Sequence, residues 1–560
     1  MQADVLPQFP AAILPDALLR LTPAERLLAL RHGIVAVATL PGMVFHATAS
    51  EAARREAGRQ GLRVVARLEA SELARAIRHV FGASLLHDAV EGLNNRNPLA
   101  SAKRRFSQAQ AAATVPLLLA FALSFLVLPL WVMALAAGAI SGIFFAMTLA
   151  IRVLALLPGG TGRRRVPRLP VAELPVYTVL VPLFRETAVL DQLIGGLMAL
   201  DYPRGKLDIK LLLEESDTLM QRAVAARPLP EHFSVVIVPS GRPQTKPRAL
   251  NYGLQMARGS LLTIYDSEDI PEPQQLRRAA EVFAADDGSL GCLQAALTFY
   301  NPNENWMTRQ FTAEYAALFE MILPNLAGLG LPLPLGGTSN HFRTEVLRGV
   351  GAWDPFNVTE DADLGCRLAR HGYLSDMLAS RTYEEANTRW GNWMRQRRRW
   401  LKGFLQTWLV QMRSPGTLFR ELGPAGFWTF QCMTLGVFSS ALLHPFLLVA
   451  GVWYFWSGEA VREAMQWHLA AFSGLSGAVL LSGHITGMLC ARAGLRRLGY
   501  RGWGITLATM PLYWMVMTPA AWLGLWDFII RPHHWHKTEH GLSALLRRPG
   551  AGRHTKVNRA

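Results

Sequence analysis

Hydrophobic and polar positions divide this chain into mixed segments separated by long apolar runs. In residues 1–110, Gly33–Thr39 and Leu62–Arg67 are short β-branched runs of strand type. Ser50–Gly58 and Ala70–Phe81 repeat their apolar residues at helical period. The pattern predicts a small soluble α/β module over residues 1–110, which we call the N-terminal module.

An apolar run from Ala111 to Ile151 follows without a charged residue. It is long enough for two transmembrane helices of about 20 residues each, predicted over 111–157 with a turn near Pro129–Trp131. A buried core hairpin is the alternative, and the length of the run disfavours it. The basic triplets Lys103–Arg105 and Arg163–Arg165 flank the run. The positive-inside rule therefore places both flanks, and the domains attached to them, in the cytoplasm.

Residues 170–415 return to a soluble composition with short apolar runs of strand length. These runs are Val176–Val181, Ile209–Leu213, Ser234–Val238 and Leu261–Tyr265. Their alternation with helical segments predicts βαβ units and a largely parallel sheet. Acidic turns follow two of them, at Glu214–Asp217 and Asp266–Asp269. Open α/β sheets bind ligands at the carboxyl ends of their strands, so we expect a ligand site there.

Residues 427–530 are again apolar and are predicted to form transmembrane and interfacial helices. The runs are Phe427–Trp456, Leu469–Cys490 and Gly504–Ile530. Prolines and Asp527 in the last run suggest that its second half lies along the membrane interface. We therefore predict four spans plus one ambiguous segment in a multi-pass protein, with a basic cytoplasmic tail at 531–560.

Composition supports a membrane protein. Hydrophobic residues make up 51% of the 560 residues, and the mean hydropathy is +0.17. The net charge of +16 arises largely from arginines beside apolar runs, and no nucleic-acid module signature occurs, so no nucleic-acid partner is expected. The four cysteines are scattered, without metal-ligand spacing or a disulfide framework. Residues 1–10 lack a basic stretch followed by an apolar run, so no cleaved signal peptide is predicted.

Two charged motifs could bind a metal and a diphosphate. Asp266 and Glu268 are the predicted metal ligands, because Mg²⁺ and Mn²⁺ prefer oxygen ligands and Mg²⁺ is often shared between carboxylates and substrate phosphates. The alternative is a solvated acidic turn. Lys246 and Arg248 could offset the charge of a diphosphate, or could belong to an ordinary basic loop.

Two later motifs could act on an acceptor. Asp361 is the candidate general base that takes a hydroxyl proton. Asp363 is the alternative base, and both could instead be charges at a helix N-terminus. In the segment from Gln396 to Trp400, Arg399 could contact a leaving diphosphate, and Trp400 offers a flat face to a sugar ring. An amphipathic interfacial helix is the competing interpretation, and both can hold.

In their order along residues 175–415, the motifs resemble the inverting family 2 glycosyltransferases, such as bacterial cellulose synthase and related exopolysaccharide synthases. The matching segments are Pro182–Glu186, Glu214-Glu215, Lys246–Asn251, the Asp266 turn, Gly336–Asn340, Thr359–Asp361 and Gln396–Trp400. The resemblance implies that Glu215 approaches the uracil and that Asp266 and Glu268 bind metal and diphosphate. It also implies an acceptor site lined by Gly337, Thr338 and Ser339, with Asp361 as the base.

The fold implied is α/β, a nucleotide-diphospho-sugar transferase fold with transmembrane helices before and after it. The activity implied is that of an inverting hexosyltransferase, a processive β-glycosyltransferase using Mg²⁺ or Mn²⁺. A UDP-sugar, expected to be UDP-glucose, would extend a growing glycan into an exopolysaccharide at the cell inner membrane. The expected partners are this donor, the glycan acceptor, the lipid bilayer and accessory export subunits. Alternatives are transfer of one sugar to a lipid phosphate, and a non-catalytic ligand-sensing receptor.

The chain departs from the cellulose synthase pattern at two positions and shows two further resemblances outside residues 175–415. Glu268 stands where the cellulose synthase pattern has Asp, and Glu214-Glu215 replaces its Asp pair, which puts the ligand assignment in question. Trp535–Gly541 resembles the cytoplasmic gating loop of cellulose synthase, with a solvated basic tail as the alternative. The N-terminal module resembles the N-terminal domain of type II secretion ATPases, some of which bind cyclic di-GMP, although it has no nucleotide-binding signature of its own.

Overall fold

The N-terminal region forms the small α/β unit that the sequence predicts. The computed structural model describes residues 6–157, 166–443, 456, 467–534 and 541–543. The first elements are α1 (Leu14–Leu19), α2 (Pro23–His32), β1 (Ile34–Leu40), β2 (Met43–Thr48), α3 (Glu51–Arg59), β3 (Arg63–Arg67) and α4 (Ala70–Arg96). β2 pairs with β1 antiparallel and with β3 parallel. β2 was not among the predicted runs, whereas β1, β3, α3 and the start of α4 were.

Two apolar helices follow, α5 (Gln108–Val127) and α6 (Leu130–Leu156). The helical conformation is interrupted at Leu128 and Pro129, where the turn was predicted. The backbone of both residues is extended rather than helical. None of the apolar window of α5 is buried within the protein, and Leu126 is 83% exposed. A helix that is apolar and uncovered on all sides suits a lipid environment.

An eight-stranded mixed sheet forms the centre of the molecule. Its strands are β4 (Tyr177–Leu183), β5 (Leu207–Glu214), β6 (Phe233–Val238), β7 (Leu261–Ile264), β8 (Ile270–Pro271), β9 (Leu290–Phe299), β10 (Asn340–Arg343) and β11 (Leu374–Glu384). They lie in the order β6-β5-β4-β7-β10-β9-β11-β8. The first four are parallel, as predicted. The rest is mixed, because β10 runs antiparallel to both β7 and β9.

Helices cover both faces of this sheet, and every residue of β5 is buried. The covering and connecting helices are α7 (Leu190–Met198), α8 (Thr218–Ala225), α9 (Lys246–Leu254), α10 (Gln275–Ala284), α11 (Trp306–Ala317), α12 (Leu323–Gly328), α13 (Thr344–Gly349), α14 (Glu360–Arg370) and α15 (Trp390–Gln411). Strands buried on both faces read as continuous apolar runs, which is why the sequence reveals them. The predicted α/β fold class is confirmed.

The remaining helices are α16 (Pro415–Gln431), α17 (Trp467–Arg497), α18 (Gly504–Ala508), α19 (Met510–Met515) and α20 (Met517–Ile530). α16 kinks at Gly423, whose φ is +67°, and a π-helical turn, Cys432–Gly436, continues it. In the described part of the chain, three helices are long and apolar enough to cross a membrane: Gln108–Val127, Pro415–Leu443 and Gly477–Arg497. The predicted run Gly504–Ile530 is instead three short helices. Much of the end of the predicted run Phe427–Trp456 lies outside the described residues.

Two ion pairs join α15 to its neighbours on either side. Arg397 on α15 donates to Glu314 on α11, with 2.7 Å between Nη1 and Oε1. Arg398, its neighbour on α15, pairs with the buried Asp527 on α20. α15 therefore stands between the sheet domain and the C-terminal helices, which places its side chains at their junction.

Candidate active site

The acidic turn after β7 presents Asp266 to a cavity and holds Asp269 beneath it. Asp269 is buried, and its Oδ2 accepts hydrogen bonds from the Asp266 N–H at 2.8 Å and from the Thr338 hydroxyl. Burial, and then repulsion from Asp266 and Glu268, raises the pKa of Asp269 well above its ordinary value. The turn is thus a built carboxylate cluster, and the alternative of a solvated acidic turn does not fit it.

Lys246 is the first residue of α9 and faces the same turn. Its Nζ lies 2.5 Å from Oδ1 of Asp266 and donates to the Gly337 carbonyl at 2.6 Å. Burial alone would lower the pKa of Lys246, but attraction to Asp266 and Glu360 outweighs burial, and the pKa is raised. Lys246 is therefore a fixed cation beside the carboxylates.

Asp361 lies in the first turn of α14 and points toward Gly337. Its Oδ1 accepts the N–H of Ala362 at 2.8 Å. Burial raises the pKa of Asp361, while this N–H, Lys246 and Arg399 hold it down. A carboxylate with a raised pKa is better matched to proton abstraction near neutral pH.

Asp363, the alternative base, has a different role in the structure. It is fully buried, with Oδ2 accepting from Nε of Arg367 at 2.8 Å and Oδ1 accepting from Gln411 at 2.7 Å. Asp363 is absent from the cavity lining. The geometry therefore favours Asp361 over Asp363 as the base.

The segment of α15 that was singled out from the sequence lines the far side of the cavity. Arg399 is within electrostatic range of Glu360, Asp361 and Asp266; its pKa is nonetheless lowered, because burial dominates. The half-buried ring of Trp400 stacks near Tyr315, with 6.4 Å between centroids and 24° between planes. Gln396 accepts a hydrogen bond from Asn387 at 2.8 Å. Arg399 and Trp400 thus face the carboxylates across one space.

One cavity of about 700 Å³ joins these groups, within the range of small-molecule sites. Its polar lining includes Glu214, Lys246, Asp266, Glu268, Thr338, Glu360, Asp361, Glu384, Gln396 and Arg399. The cavity continues between the apolar helices, where its lining includes Phe145, Ile151, Met433, Val437, Leu480 and Trp514. A polar catalytic-type site therefore opens directly into an apolar space.

Three predicted site residues lie elsewhere. Arg248 is fully buried and paired with Glu214, so it supports the cavity wall from behind. Glu215 accepts the Ser240 N–H at 3.0 Å and is absent from the lining, where Glu214 is found instead. Ser339 is buried and donates to Thr382 at 2.7 Å. Their substrate-binding roles stay predictions that this geometry does not support.

Two functional candidates were missed from sequence. Glu384 ends β11, and burial, followed by repulsion from Asp269, Glu268 and Asp266, raises its pKa well above its ordinary value. Burial has the largest effect on the pKa of Glu360, and repulsion from Asp361 adds to it, so that this pKa is raised. Glu384 is an acidic residue at the carboxyl end of a strand, a signal that could be used only if β11 itself had been predicted.

The carboxylates fit a divalent cation that is shared with a substrate diphosphate. In the part of the chain that the structure describes, no group of three or more His, Cys, Asp or Glu side chains is arranged to hold a metal alone. Mg²⁺, however, commonly takes only one or two carboxylates and completes its shell with phosphates and water. The buried Oδ1 of Asp269 has no hydrogen-bond partner, which suits a cation close by. Asp266 and Glu268 would hold it.

Comparisons with known proteins find similarity to glycosyltransferases. Residues 261–530 match the model of glycosyl transferase family group 2. A probable glycosyltransferase of Bacillus subtilis, YdaM, is 25% identical over 258 residues, which are 44% of this chain and 61% of that protein. Beta-monoglucosyldiacylglycerol synthase of Synechocystis is 27% identical over 245 residues, 43% of this chain and 50% of the synthase. Glucomannan 4-beta-mannosyltransferase 1 of Oryza sativa is 25% identical over 222 residues, 38% and 42% of the two chains.

The matched regions span about two fifths to three fifths of the length of these relatives. Residues 261–530 are therefore similar to family 2 glycosyltransferases, and this similarity supports the predicted class of enzyme, a glycosyltransferase.

Proposed function

We propose that this protein is a membrane-embedded, inverting glycosyltransferase that takes a sugar from a cytoplasmic UDP-sugar, with UDP-glucose the expected donor. The observation that carries the proposal is the single cavity that links Asp266, Asp361 and Arg399 to the space between apolar helices. The cations and carboxylates at the polar end of the cavity suit the diphosphate of a donor. The apolar end between the helices suits an acceptor that is held at a membrane.

In the proposed reaction Asp361 accepts the proton of the acceptor hydroxyl. The acceptor oxygen forms a bond to C1 of the donor sugar as the bond from C1 to the diphosphate oxygen breaks, and its electron pair leaves with UDP. Lys246 and Arg399 would stabilise the negative charge that develops on the diphosphate. A divalent cation held by Asp266 and Glu268 would supply Lewis-acid stabilisation of the same charge when bound.

Repeated transfer, which builds an exopolysaccharide, is our leading form of the proposal. The motif Gln396–Trp400 supports it, because Trp400 presents its ring at the cavity, where the last sugar of a chain could stack. The glucomannan mannosyltransferase named above is similar to this chain over part of its length. The inner-membrane location and the accessory export subunits stay predictions. The predicted gating loop falls almost wholly outside the described residues.

Transfer of one sugar to a lipid phosphate is the second candidate. The apolar lining of the cavity between the helices favours this candidate, since acyl chains would bury their apolar surface there. The relative from Synechocystis is named as a synthase of beta-monoglucosyldiacylglycerol, a lipid that carries one sugar.

The test is incubation of the purified full-length protein with a panel of UDP-sugars and Mg²⁺ or Mn²⁺. Formation of free UDP with a long glycan supports repeated transfer, and a lipid carrying one sugar supports the second candidate. Binding of a UDP-sugar without any turnover would instead support the non-catalytic receptor. Asp361→Asn protein serves as the matched control for contaminating activity.

A further inference from the structure

Arg152 is a charged residue in an apolar helix, and it faces the cavity. It lies on α6, four residues before the helix ends at Leu156. At a rise of about 1.5 Å per residue, this places it roughly 6 Å from the helix end. By the predicted topology that end is cytoplasmic. Arg152 therefore lies near the depth of lipid headgroups. It lines the part of the cavity that is enclosed by the apolar helices.

Within the described residues, the charge of Arg152 has little compensation. Its Nη1 donates to the Gly483 carbonyl at 2.7 Å, and its guanidinium carbon lies 5.7 Å from the centroid of the Trp514 ring. Among the residues that the structure describes, no carboxylate forms an ion pair with it. A carbonyl and a ring face stabilise a cation without neutralising it. An ionisable side chain on a membrane helix that faces a cavity, as Arg152 does, is a candidate for a ligand pathway.

Two glycines let a neighbouring helix pack closely against Arg152. A β-carbon on Gly483 would lie 3.8 Å from Nη1, and one on Gly487 would lie 3.4 Å from it and 2.9 Å from the Trp514 ring. The two glycines are one helical turn apart on α17, so this face of the helix can approach Arg152 and Trp514 closely. The guanidinium is thereby held at the cavity wall, and its donors other than the N–H bonded to Gly483 can meet two oxygens of a phosphate.

We propose that Arg152 binds the phosphate of a lipid whose acyl chains occupy the apolar part of the cavity. A guanidinium binds phosphate through paired charge-assisted hydrogen bonds, and the apolar lining selects a phosphate attached to hydrocarbon over a free ion. The inference rests on the proposed function in one respect, because the same cavity is the one that we assign to the acceptor. A bound lipid phosphate is what the second candidate function requires.

The test compares two lipids that differ only by the phosphate. Purified full-length protein is delipidated, loaded with phosphatidic acid or with diacylglycerol of the same acyl chains, and bound lipid is counted by native mass spectrometry. Wild-type protein should retain phosphatidic acid about tenfold better, the factor expected when a charge-assisted hydrogen bond is lost. Arg152→Gln should remove that preference. Arg492→Gln, which removes an exposed arginine from α17, should leave it intact.

Further arms keep the test decisive. Arg152→Lys should retain part of the preference, because it keeps the charge but loses the paired geometry. Equal retention of the two lipids by wild-type protein would overturn the proposal whether or not any variant folds. So would equal behaviour of Arg152→Gln and Arg492→Gln, or displacement of the lipid by millimolar inorganic phosphate, which would assign the site to a free anion. UDP-sugar turnover is measured separately, so its failure would count against the proposed function alone.

Discussion

A β-carbon built on Gly337 would lie 3.3 Å from Oδ2 of Asp361. The same β-carbon would lie 3.9 Å from Nζ of Lys246. Gly337 therefore brings a bare stretch of backbone against the candidate base and the cation that accompanies it. The spacing between Asp361 and Lys246 depends on the absence of a side chain at this position.

Gly337→Ala should lower turnover by about ten- to a hundredfold with little loss of stability. The added methyl group requires Asp361 to move by a few tenths of an ångström, and small displacements of reacting groups are costly. Steady-state kinetics and a thermal unfolding curve measure the two effects. Gly349→Ala is the control, because a β-carbon there meets nothing within 4 Å. Similar kinetics in the two variants would show that Gly337 does not set the geometry.

Asp361→Asn should lower turnover by about 10²–10⁴-fold, the usual contribution of a general base. UDP affinity should change little, because Asp361 is assigned to the acceptor hydroxyl. The readouts are single-turnover rates and UDP binding by calorimetry. Near-normal turnover would remove Asp361 from the mechanism.

Asp363→Asn is the matched variant two residues away, and it should act on stability. Arg367 would lose its buried partner, and breaking a buried pair typically costs about 3–5 kcal/mol. The free energy of unfolding, or the thermal midpoint, is the measurement. Protein that folds as stably as wild type but turns over 10²-fold more slowly would make Asp363 the base instead.

The four parallel strands β4 to β7 and the motifs could be predicted because their signals are local. β4 is almost wholly apolar, β5 is mostly apolar despite Asp208 and Lys210, and Lys246, Asp266 and Asp361 each stand in a short motif of recognisable chemistry. What sequence could not give is orientation across the fold. Arg248 is two residues after Lys246, yet it points back to Glu214. Ser339 follows two residues that line the site but points to Thr382.

Glu384 and the antiparallel β10 were missed for a related reason. β10 has only four residues, too few for a periodic signal, and it inserts between β7 and β9 through contacts distant in sequence. Glu384 joins Asp266 only because β11 pairs beside β9. Such placements depend on sheet order, which a single sequence does not encode locally.

The acid side of the pH–rate profile should report Asp361. A base must be deprotonated, so turnover should fall as pH falls through its pKa, and burial raises that pKa above the ordinary value for aspartate. Arg399 holds the pKa of Asp361 down, so Arg399→Gln should move the acid limb to higher pH. The midpoint of the limb is compared at saturating donor, which separates this shift from weaker diphosphate binding. A limb that stays in place, or moves to lower pH, would contradict the assignment.

Asp266→Asn should abolish the effect of metal on donor binding. In wild-type protein, Mn²⁺ or Mg²⁺ should tighten UDP binding, because the cation would join the Asp266 carboxylate to the diphosphate. The amide carries no charge, so cation and diphosphate should weaken together, and transfer should be lost. Calorimetric titration of UDP with and without Mn²⁺ gives the coupling directly. Asp287→Asn, in an exposed turn after α10, should keep the full metal effect. If Asp266→Asn protein still transfers sugar at the wild-type rate in a chelator, the turn is structural and the cation is not bound there.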